Sequence, residues 1–306
     1  MLHIERLSMG EGKLIKFIYN PHSGLIHPEQ LIKKIIIDYF PRNLCYYDFN
    51  VTESRGHAYN LAKSAAKENY DIVVAIGGDG TVNETASGLV NSNSTLGIIP
   101  NGSGNGLARG LGIPISIRRA AKLITTGQTR TIDVGQIEDQ FFFVIAGLGL
   151  DAMIGKRFDE GKLRGPAPYY IAGVREFFRY HEPEYEIKFE GQTVKTRALV
   201  VAVANTKQYG NNAIIAPNAR PDDGLLDLAI IEPTNFVSVI YYLPTLFTGR
   251  IDRAPFTRIY RATKFEIYRE FPAPYTLDGE VFEGTTHLQV TMLPRALKVV
   301  VNNIYF

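Results

Sequence analysis

The first 133 residues alternate between short apolar runs and segments rich in helix-forming residues, and this alternation constrains the fold most strongly. Strand-like patterns fall at 14–19, 44–51, 71–76 and 96–99, and helix-like patterns fall at 28–39, 56–68, from about 81, and at 116–125. Strands that alternate with helices across short loops predict a parallel sheet with helices on both faces. We therefore expect an α/β domain over residues 1–134.

Residues 135–306 show a different pattern, in which strand-like runs follow one another across turns. These runs fall at 141–146, 185–189, 198–204, 225–231, 264–268, 288–291 and 297–301, with helical patterns only at 168–180 and 235–247. The pattern predicts a mostly antiparallel β-sandwich, whose last residues could return to the first domain. Ligands commonly bind in the cleft between two such domains.

Composition limits the partners of this chain. Of 306 residues, 45% are hydrophobic and 21% are charged, which is typical of a globular protein. A formal net charge of +2 argues against nucleic acid as a partner. The single cysteine, Cys45, cannot form an internal disulfide, so we expect a cytoplasmic setting. Residues 1–13 lack the apolar core of a secretory signal, and no apolar run could span a bilayer, so any membrane contact should be at the surface.

The stretch VVAIGGDGTVNETASGL, at 73–89, places three glycines and Asp79 between an apolar run and a predicted helix. Glycine lets the backbone approach a ligand closely, and a helix N-terminus offers unpaired N–H groups to phosphate. Asp79 could then hold magnesium beside the phosphates. Alternatively, Thr81 and Glu84 form a T-x-x-E capping box, which would start a helix in any protein.

Two further loops carry glycine and polar residues directly after predicted strands. They read NPHSG at 20–24 and PNGSGNG at 100–106. Loops that follow the carboxyl ends of parallel strands converge on one edge of the sheet, so the three loops could surround one nucleotide. Each loop alone is also typical of an ordinary turn.

Two carboxylate pairs occur in the second half of the chain. Asp278 and Glu280 would point to the same side of an extended segment, where one could act on magnesium and the other on a proton. Asp278-Gly279 is equally a hairpin signal. Asp222-Asp223-Gly224 reads as a turn before a strand, although clustered carboxylates also suit a hard cation.

Taken together, these motifs resemble those of the diacylglycerol kinase catalytic-domain family, which includes bacterial lipid kinases, sphingosine kinases and ceramide kinases. The matching stretches are NPHSG at 20–24, GGDGTVNE at 77–84, GSGN at 102–105, DDGLLD at 222–227 and LDGE at 277–280. They span nearly the whole chain. The GGDG stretch alone also occurs in NAD kinases and phosphofructokinases, so the specificity of the resemblance comes from the combination.

The resemblance implies a two-domain, ATP-dependent lipid kinase with an NAD kinase-like or diacylglycerol kinase-like fold and an active site between the domains. Diacylglycerol is the first expected acceptor, and a sphingoid base or ceramide is the alternative. A soluble NAD kinase or a non-catalytic nucleotide or lipid sensor is a more distant reading. Bacterial diacylglycerol kinases usually have Asp where this chain has Gly106, which leaves the acceptor lipid open.

The resemblance also implies roles for individual residues. Glu280 would be the general base, with Asp278 and Asp79 beside it in the catalytic group. A structural magnesium, which supports the fold and takes no direct part in the chemistry, would be held by the Asp223 side chain and the carbonyls of Arg220 and Leu225. The nucleotide would be held by Asn20, Pro21, His22, Ser23, Gly24, Thr52, Gly77, Gly78, Asp79, Gly80, Thr81, Val82, Asn83, Glu84 and Ser103.

The sequence contains fewer indications of how the lipid and the membrane are bound. Residues 156–180 interleave basic and aromatic side chains, and such a helix can rest on an anionic membrane surface or simply face the core. We expect the pocket for the lipid chain inside the β domain. We further expect transient contact with the inner face of the membrane, and a homodimer is an open possibility.

Overall fold

The structure, a computed structural model, describes residues 5–6, 12–24, 29–43, 45–160, 177, 179–210 and 212–302. The chain divides into two compact units, an N-terminal unit of Met1–Val134 with Pro294–Phe306 and a C-terminal unit of Gly135–Leu293. Nearly all of the predicted helix at 168–180 lies outside the described residues, as do Pro28 and Leu44 at two predicted boundaries.

The N-terminal unit alternates strands with helices, as the sequence predicts. Its elements are β1 (Glu5–Arg6), β2 (Lys13–Tyr19), α1 (Glu29–Tyr39), β3 (Cys45–Val51), α2 (His57–Lys67), β4 (Ile72–Gly77), α3 (Asp79–Leu89), β5 (Thr95–Pro100), α4 (Gly106–Gly110), α5 (Ile117–Thr126) and β6 (Gln128–Ile137).

The main sheet of this unit is parallel, in the order β3, β2, β4, β5, with Lys298 and Val299 pairing beside β5. Every residue of β4 and β5 is buried, which is typical of parallel strands covered on both faces. Helices α2 and α3 pack together, and α1 packs on α5. The chain order reverses between β2 and β4, so their carboxyl ends flank the switch point where α/β sheets bind ligands.

The C-terminal unit is mostly antiparallel. Its elements are β7 (Gln140–Phe142), β8 (Ile145–Gly149), α6 (Leu150–Glu160), β9 (Glu184–Phe189), β10 (Gln192–Arg197), β11 (Val200–Ala204), β12 (Gln208–Gly210), β13 (Ala213–Ile214), β14 (Leu226–Ile231), α7 (Phe236–Phe247), β15 (Thr257–Ala262), β16 (Lys264–Arg269), β17 (Tyr275–Leu277), β18 (Glu280–Phe282) and β19 (His287–Val301), whose residues from Pro294 onward belong to the N-terminal unit.

Two layers of strands enclose the core of this unit. One layer has the order β15, β14, β11, β8, β17, β18, and the other has the order β10, β9, β16, β19. Ile187 and Phe265 of the second layer share one buried cluster with Val203 and Leu228 of the first. This arrangement is a β-sandwich, as predicted.

Several predicted elements in this half are corrected by the structure. The run at 141–146 is two strands, β7 and β8, and the two runs at 288–291 and 297–301 are parts of one strand, β19. Helix α6 forms where no helix was predicted, directly after Gly149, whose φ of +100° turns the chain from strand β8 into the helix. Strand β6 was also missed, since its polar residues show no strict alternation.

Candidate active site

The three glycine-bearing loops of the N-terminal unit lie in contact with one another. They follow β2, β4 and β5, which are neighbours in the sheet. The Asn101 N–H donates a 2.7 Å hydrogen bond to the Gly77 carbonyl, and the Asn20 N–H donates one of 3.0 Å to the Ile76 carbonyl. The Asn20 Nδ2 also donates to the Thr81 Oγ1 at 2.9 Å. The predicted convergence of the loops is therefore present.

Glycine is required where these loops meet. Gly24 has a φ of +66°, and a Cβ there would lie 1.9 Å from the Asn101 carbonyl oxygen. A Cβ on Gly102 would lie 2.6 Å from the Gly78 Cα. Because backbone atoms occupy both positions, no side chain fits.

Asp79 clamps two of the loops together. Its Oδ2 accepts a 2.9 Å hydrogen bond from the Asn105 N–H, and its Oδ1 accepts a 2.6 Å bond from the Gly106 N–H. These are charge-assisted bonds to the start of α4. Position 106 contributes only its backbone N–H to this contact. Glycine can therefore stand there in place of the Asp that the sequence comparison led us to expect, without loss of the hydrogen bond to Asp79. Asn105 was not predicted as a site residue, although its left-handed φ of 54° and its side-chain bonds to Gly102 shape the loop.

The capping-box interpretation of Thr81 and Glu84 is wrong. Helix α3 begins at Asp79 after an extended Gly78, so Thr81 lies inside the first turn. The Glu84 carboxylate reaches instead to the start of α2, where it accepts hydrogen bonds from the N–H groups of Gly56, at 2.7 Å, and Ala58, at 3.1 Å. Glu84 thereby fixes the segment that follows Thr52.

The other predicted nucleotide residues lie on or beside the same loops. Thr52 is buried, and its N–H donates to the Tyr19 carbonyl at 2.8 Å. The Ser23 hydroxyl donates to the Asn20 carbonyl at 2.9 Å, and the His22 N–H donates to the Asn20 Oδ1 at 2.9 Å. Ser103 is exposed at the tip of the third loop. Pro21, Gly80, Val82 and Asn83 complete the set, of which Val82 is buried and the other three are half-buried.

Glu280 lies on a two-residue hairpin in the C-terminal unit. Leu277 of β17 pairs with Glu280 of β18, and the two residues between them have positive φ, 49° at Asp278 and 92° at Gly279. This is a type I′ turn. The hairpin alternative is therefore confirmed. The expectation of an extended segment, in which Asp278 and Glu280 would point to the same side, is wrong.

Asp278 anchors this hairpin to the loop that precedes β8. Its Oδ2 accepts a 2.8 Å hydrogen bond from the Phe143 N–H, and its Oδ1 accepts bonds of 2.9 Å from the N–H groups of Val144 and Ile145. Three N–H donors on one carboxylate hold the turn, and with it the backbone of the half-buried Glu280, in a fixed place.

An apolar cavity of about 370 Å³ lies within the same unit. Helix α7 supplies six of its lining residues, and Asp151, at the start of α6, is the single charged residue among the described lining residues. The Asp151 Oδ2 accepts a 3.4 Å hydrogen bond from the Thr276 Oγ1, and Thr276 belongs to β17, which leads into the Glu280 hairpin. The polar end of the cavity therefore adjoins that hairpin. Asp151 is the second residue of α6, and the sequence contains no motif that identifies it.

The predicted metal-binding residues lie elsewhere in this sheet. Asp223 precedes β14, which is three strand positions from β17, or about 14 Å at the usual strand spacing. The Asp223 carboxylate is paired with the Arg261 guanidinium and accepts a 3.2 Å bond from the Leu225 N–H. Arg220 contacts Asp222 at 3.4 Å. Because Arg261 already supplies the positive charge, this oxygen set fits a hard cation only if Arg261 withdraws.

Among the residues that the structure describes, no group of three or more His, Cys, Asp or Glu side chains is arranged to hold a metal ion. Within the same residues, no helix combines the length and apolar character that crossing a bilayer requires.

Comparison with known families agrees with both units. The family model described as "Diacylglycerol kinase catalytic domain" matches residues 15–137. The one described as "YegS C-terminal NAD kinase beta sandwich-like domain" matches residues 144–301.

Individual relatives are similar over most of their length. A curated diacylglycerol kinase of Bacillus subtilis is 31% identical over 278 residues, which is 88% of this chain and 90% of that protein. One of Mycobacterium tuberculosis is 30% identical, over 79% of this chain and 80% of that protein. A crystal structure of a putative diacylglycerol kinase from Bacillus anthracis superposes with a TM-score of 0.77 at 25% identity, covering 95% of this chain and 97% of that chain.

The fold and the family matches together define a phosphotransferase of the kinase class. The chain belongs to the diacylglycerol kinase family. It is accordingly a lipid kinase, and membership of a kinase family implies that ATP is the phosphoryl donor.

Proposed function

We propose that this enzyme transfers the γ-phosphoryl group of ATP to the free hydroxyl of diacylglycerol, producing phosphatidic acid, ADP and a proton. The observation that carries the lipid acceptor is the apolar cavity whose charged end, Asp151, is hydrogen-bonded to the strand that leads to Glu280. Diacylglycerol in particular is supported by the names of the relatives in Bacillus subtilis and Mycobacterium tuberculosis.

On the donor side, the N-terminal unit binds the triphosphate. The first N–H groups of α3 have no acceptor within their own helix, and the positive end of the helix dipole favours phosphate there. Gly24 and Gly102 let the three loops close on one another, so that their backbone can approach the phosphates. Asp79 and Glu84 keep this cradle in shape through their bonds to backbone N–H groups.

On the acceptor side, Glu280 is the general base. Its carboxylate takes the proton from the lipid hydroxyl as the hydroxyl oxygen bonds to the γ-phosphorus and the bond to ADP breaks. Asp278 is a positioning residue, because its carboxylate is occupied by three backbone N–H groups. The cavity excludes water from the acyl chains and orients the lipid.

Magnesium belongs to this proposal as the ion that travels with ATP. When bound, it neutralises phosphate charge as the γ-phosphoryl group is transferred. Asp79 lies within the GGDG loop and could bind this magnesium ion. Each of its carboxylate oxygens accepts one backbone N–H and keeps another lone pair that could face the metal.

The specific alternative is a sphingoid base or ceramide as acceptor, which stays open because Gly106, directly after the GSGN stretch, stands where bacterial diacylglycerol kinases usually have Asp. The deciding experiment is incubation with labelled ATP and a panel of diacylglycerol, sphingosine, ceramide and NAD, followed by product identification. We expect labelled phosphatidic acid. A labelled sphingoid base or ceramide with no phosphatidic acid would replace the acceptor, and no labelled product would contradict a lipid kinase.

A further inference from the structure

Helix α7 is apolar around most of its circumference, with only Ser238 and Thr245 as small polar residues on one face, and protein covers only part of its apolar surface. Its sequence, FVSVIYYLPTLF, contains no charged residue, and none of its residues is buried. Five of the nine exposed large apolar side chains in the described chain lie on these twelve residues. A helix with so few polar residues is normally enclosed by protein or lipid, so this surface needs a partner.

The helix has two apolar stripes with different surroundings. Phe236, Val239 and Leu246 line the cavity of the C-terminal unit. Val237, Tyr241 and Phe247 are 76%, 75% and 47% exposed and are not among its lining residues. We call these three residues the outer stripe.

Two residues connect the stripes. Ile240 and Leu243 line the cavity and are also 52% and 43% exposed. They therefore form an apolar rim that runs from the outer stripe into the cavity. An acyl chain could follow this rim without contacting a charged side chain of the helix.

The charges beside the helix indicate the chemistry of its partner. Arg250, Asp252 and Arg253 follow the C-terminus of α7 and are all exposed, so this edge carries a net positive charge while the helix itself is uncharged. Basic side chains at the edge of an apolar surface favour an anionic lipid bilayer. In a two-fold dimer built on this surface, the second copy would bring the same net positive charge to the interface, whereas an anionic bilayer would neutralise it.

We infer that the outer stripe of α7 inserts into the surface of an anionic bilayer, so that a lipid can pass over the rim of Ile240 and Leu243 into the cavity. Twelve helical residues extend about 18 Å, too short to cross the hydrocarbon core, so the helix lies in the plane of the membrane. Tyr241 suits this depth, because its ring is apolar and its hydroxyl can remain in water. The passage of substrate rests on the proposed function, whereas the docking itself does not.

The test measures co-sedimentation of the protein with vesicles of phosphatidylcholine, with and without phosphatidylglycerol. The triple variant V237S/Y241S/F247S replaces side chains that are already exposed, so the fold has little reason to change. We expect its partition coefficient to fall at least about tenfold. The matched control is I37S/Y46S, which changes two exposed apolar residues of the N-terminal unit and should bind vesicles like the wild type.

A second variant, R250Q/R253Q, tests the charges. It should weaken binding to phosphatidylglycerol vesicles by about fivefold for each arginine, and change binding to pure phosphatidylcholine much less. The ratio of phosphorylation rates on vesicle-embedded and on dispersed short-chain diacylglycerol should fall at least about tenfold in the triple variant.

Docking and activity can fail separately. Unchanged vesicle binding by the triple variant overturns the inference, and so does an equal loss in the I37S/Y46S control. A wild-type dimer that the triple variant converts to a monomer in sedimentation, with vesicle binding intact, would assign the surface to a second copy and also overturns it. Vesicle binding that depends on α7 in a protein that phosphorylates no lipid would support docking and contradict the proposed function alone.

Discussion

Asp278 and Ile145 are joined by two hydrogen bonds. The Ile145 N–H donates to the Asp278 Oδ1 at 2.9 Å, and the Asp278 N–H donates to the Ile145 carbonyl at 3.0 Å. With the additional donors Phe143 and Val144, this contact ties the Glu280 hairpin to strand β8. Asp278, which the resemblance placed in the catalytic group, therefore holds the hairpin of the proposed base, Glu280, in position.

Asp278→Asn should lower both stability and turnover. Asparagine tolerates the left-handed backbone at this position, but its NH₂ group would replace an acceptor oxygen in front of the N–H donors. We expect a loss of roughly 1.5–3 kcal/mol in the free energy of unfolding and a fall in kcat with little change in the KM for ATP. Denaturant unfolding and steady-state kinetics measure both.

The matched control for that variant is Glu190→Gln. Glu190 and Gly191 form the same kind of positive-φ hairpin between β9 and β10, and Glu190 is exposed. This control should retain wild-type kcat. An Asp278→Asn enzyme with normal stability and turnover would remove the positioning role.

Asp79→Ala should weaken ATP binding. The change removes both acceptors that hold the loop at 101–106 against the start of α3. We expect the Kd for ATP, measured by calorimetry, to rise at least about tenfold, since each charge-assisted bond contributes roughly 1.5–3 kcal/mol.

Asp71→Ala is the control, because the Asp71 carboxylate also accepts a backbone bond, from Leu14 at 2.8 Å, at the opposite ends of β2 and β4. It should cost stability without changing the affinity for ATP. Equal ATP affinity in Asp79→Ala and the wild type would contradict the clamp.

Gly24→Ala should abolish nucleotide binding by separating two loops. Its Cβ would meet the Asn101 carbonyl oxygen at 1.9 Å, so the backbone must move. Gly12→Ala is matched to it, with a φ of +96° and no atom within 4 Å of the new Cβ. Both variants carry backbone strain, but only Gly24→Ala should lose ATP affinity. If the two lose affinity equally, the close approach of the loops is irrelevant.

The fold of the N-terminal unit followed from the sequence because its signals are local. Apolar runs of four to eight residues between helix-forming segments were sufficient to place β2, β4 and β5 to within a residue or two. The contact between the three loops followed from the general behaviour of parallel sheets, whereas the strand order is known only from the structure. Glycine and asparagine in those loops marked the turns that the structure contains.

The errors arose where distant contacts decide the structure. Glu84 bonds to Gly56 rather than to its own helix, and a local capping motif cannot reveal a partner 28 residues away. Strand β19 read as two strands, because Pro294 and the left-handed Arg295 interrupt the apolar pattern while pairing continues on both sides. Asp151 became visible only through the cavity that it lines.

Arg261→Gln should destabilise the enzyme in a pH-dependent way. Burial raises the pKa of Asp227 above its ordinary value of 3.8, and Arg261 partly opposes that rise. The folded state therefore prefers the protonated form, so the contribution of Asp227 to stability is fully present below pH 3.8 and is lost as the pH rises through the folded pKa. Without Arg261 the pKa of Asp227 in the folded state rises further, so more stability is lost as the pH increases. The destabilisation should thus grow from acid toward neutral pH, to roughly 1–3 kcal/mol.

Arg258→Gln is the control, because Arg258 lies on the same strand and pairs with Glu232 at 2.9 Å. Its effect should be small and nearly constant with pH. A cost of Arg261→Gln that decreases toward neutral pH would contradict the assignment.

Magnesium should stabilise Arg261→Gln more than the wild type. Removing the guanidinium leaves the Asp223 and Asp227 carboxylates without their cation, so a divalent ion can take its place. The measurement is the change in Tm on adding Mg²⁺ and on removing it with EDTA. A wild-type shift as large as that of the variant would mean that Arg261 does not compete for the site.

The most direct test of the account is the transfer of label from ATP to diacylglycerol by the wild type, Glu280→Gln and the control Glu283→Gln, with the affinity for ATP measured in parallel. We predict that Glu280→Gln binds ATP normally and forms phosphatidic acid about 10²–10⁴-fold more slowly, while Glu283→Gln, changed at an exposed residue of the same segment, matches the wild type. Normal formation of phosphatidic acid by Glu280→Gln would contradict it.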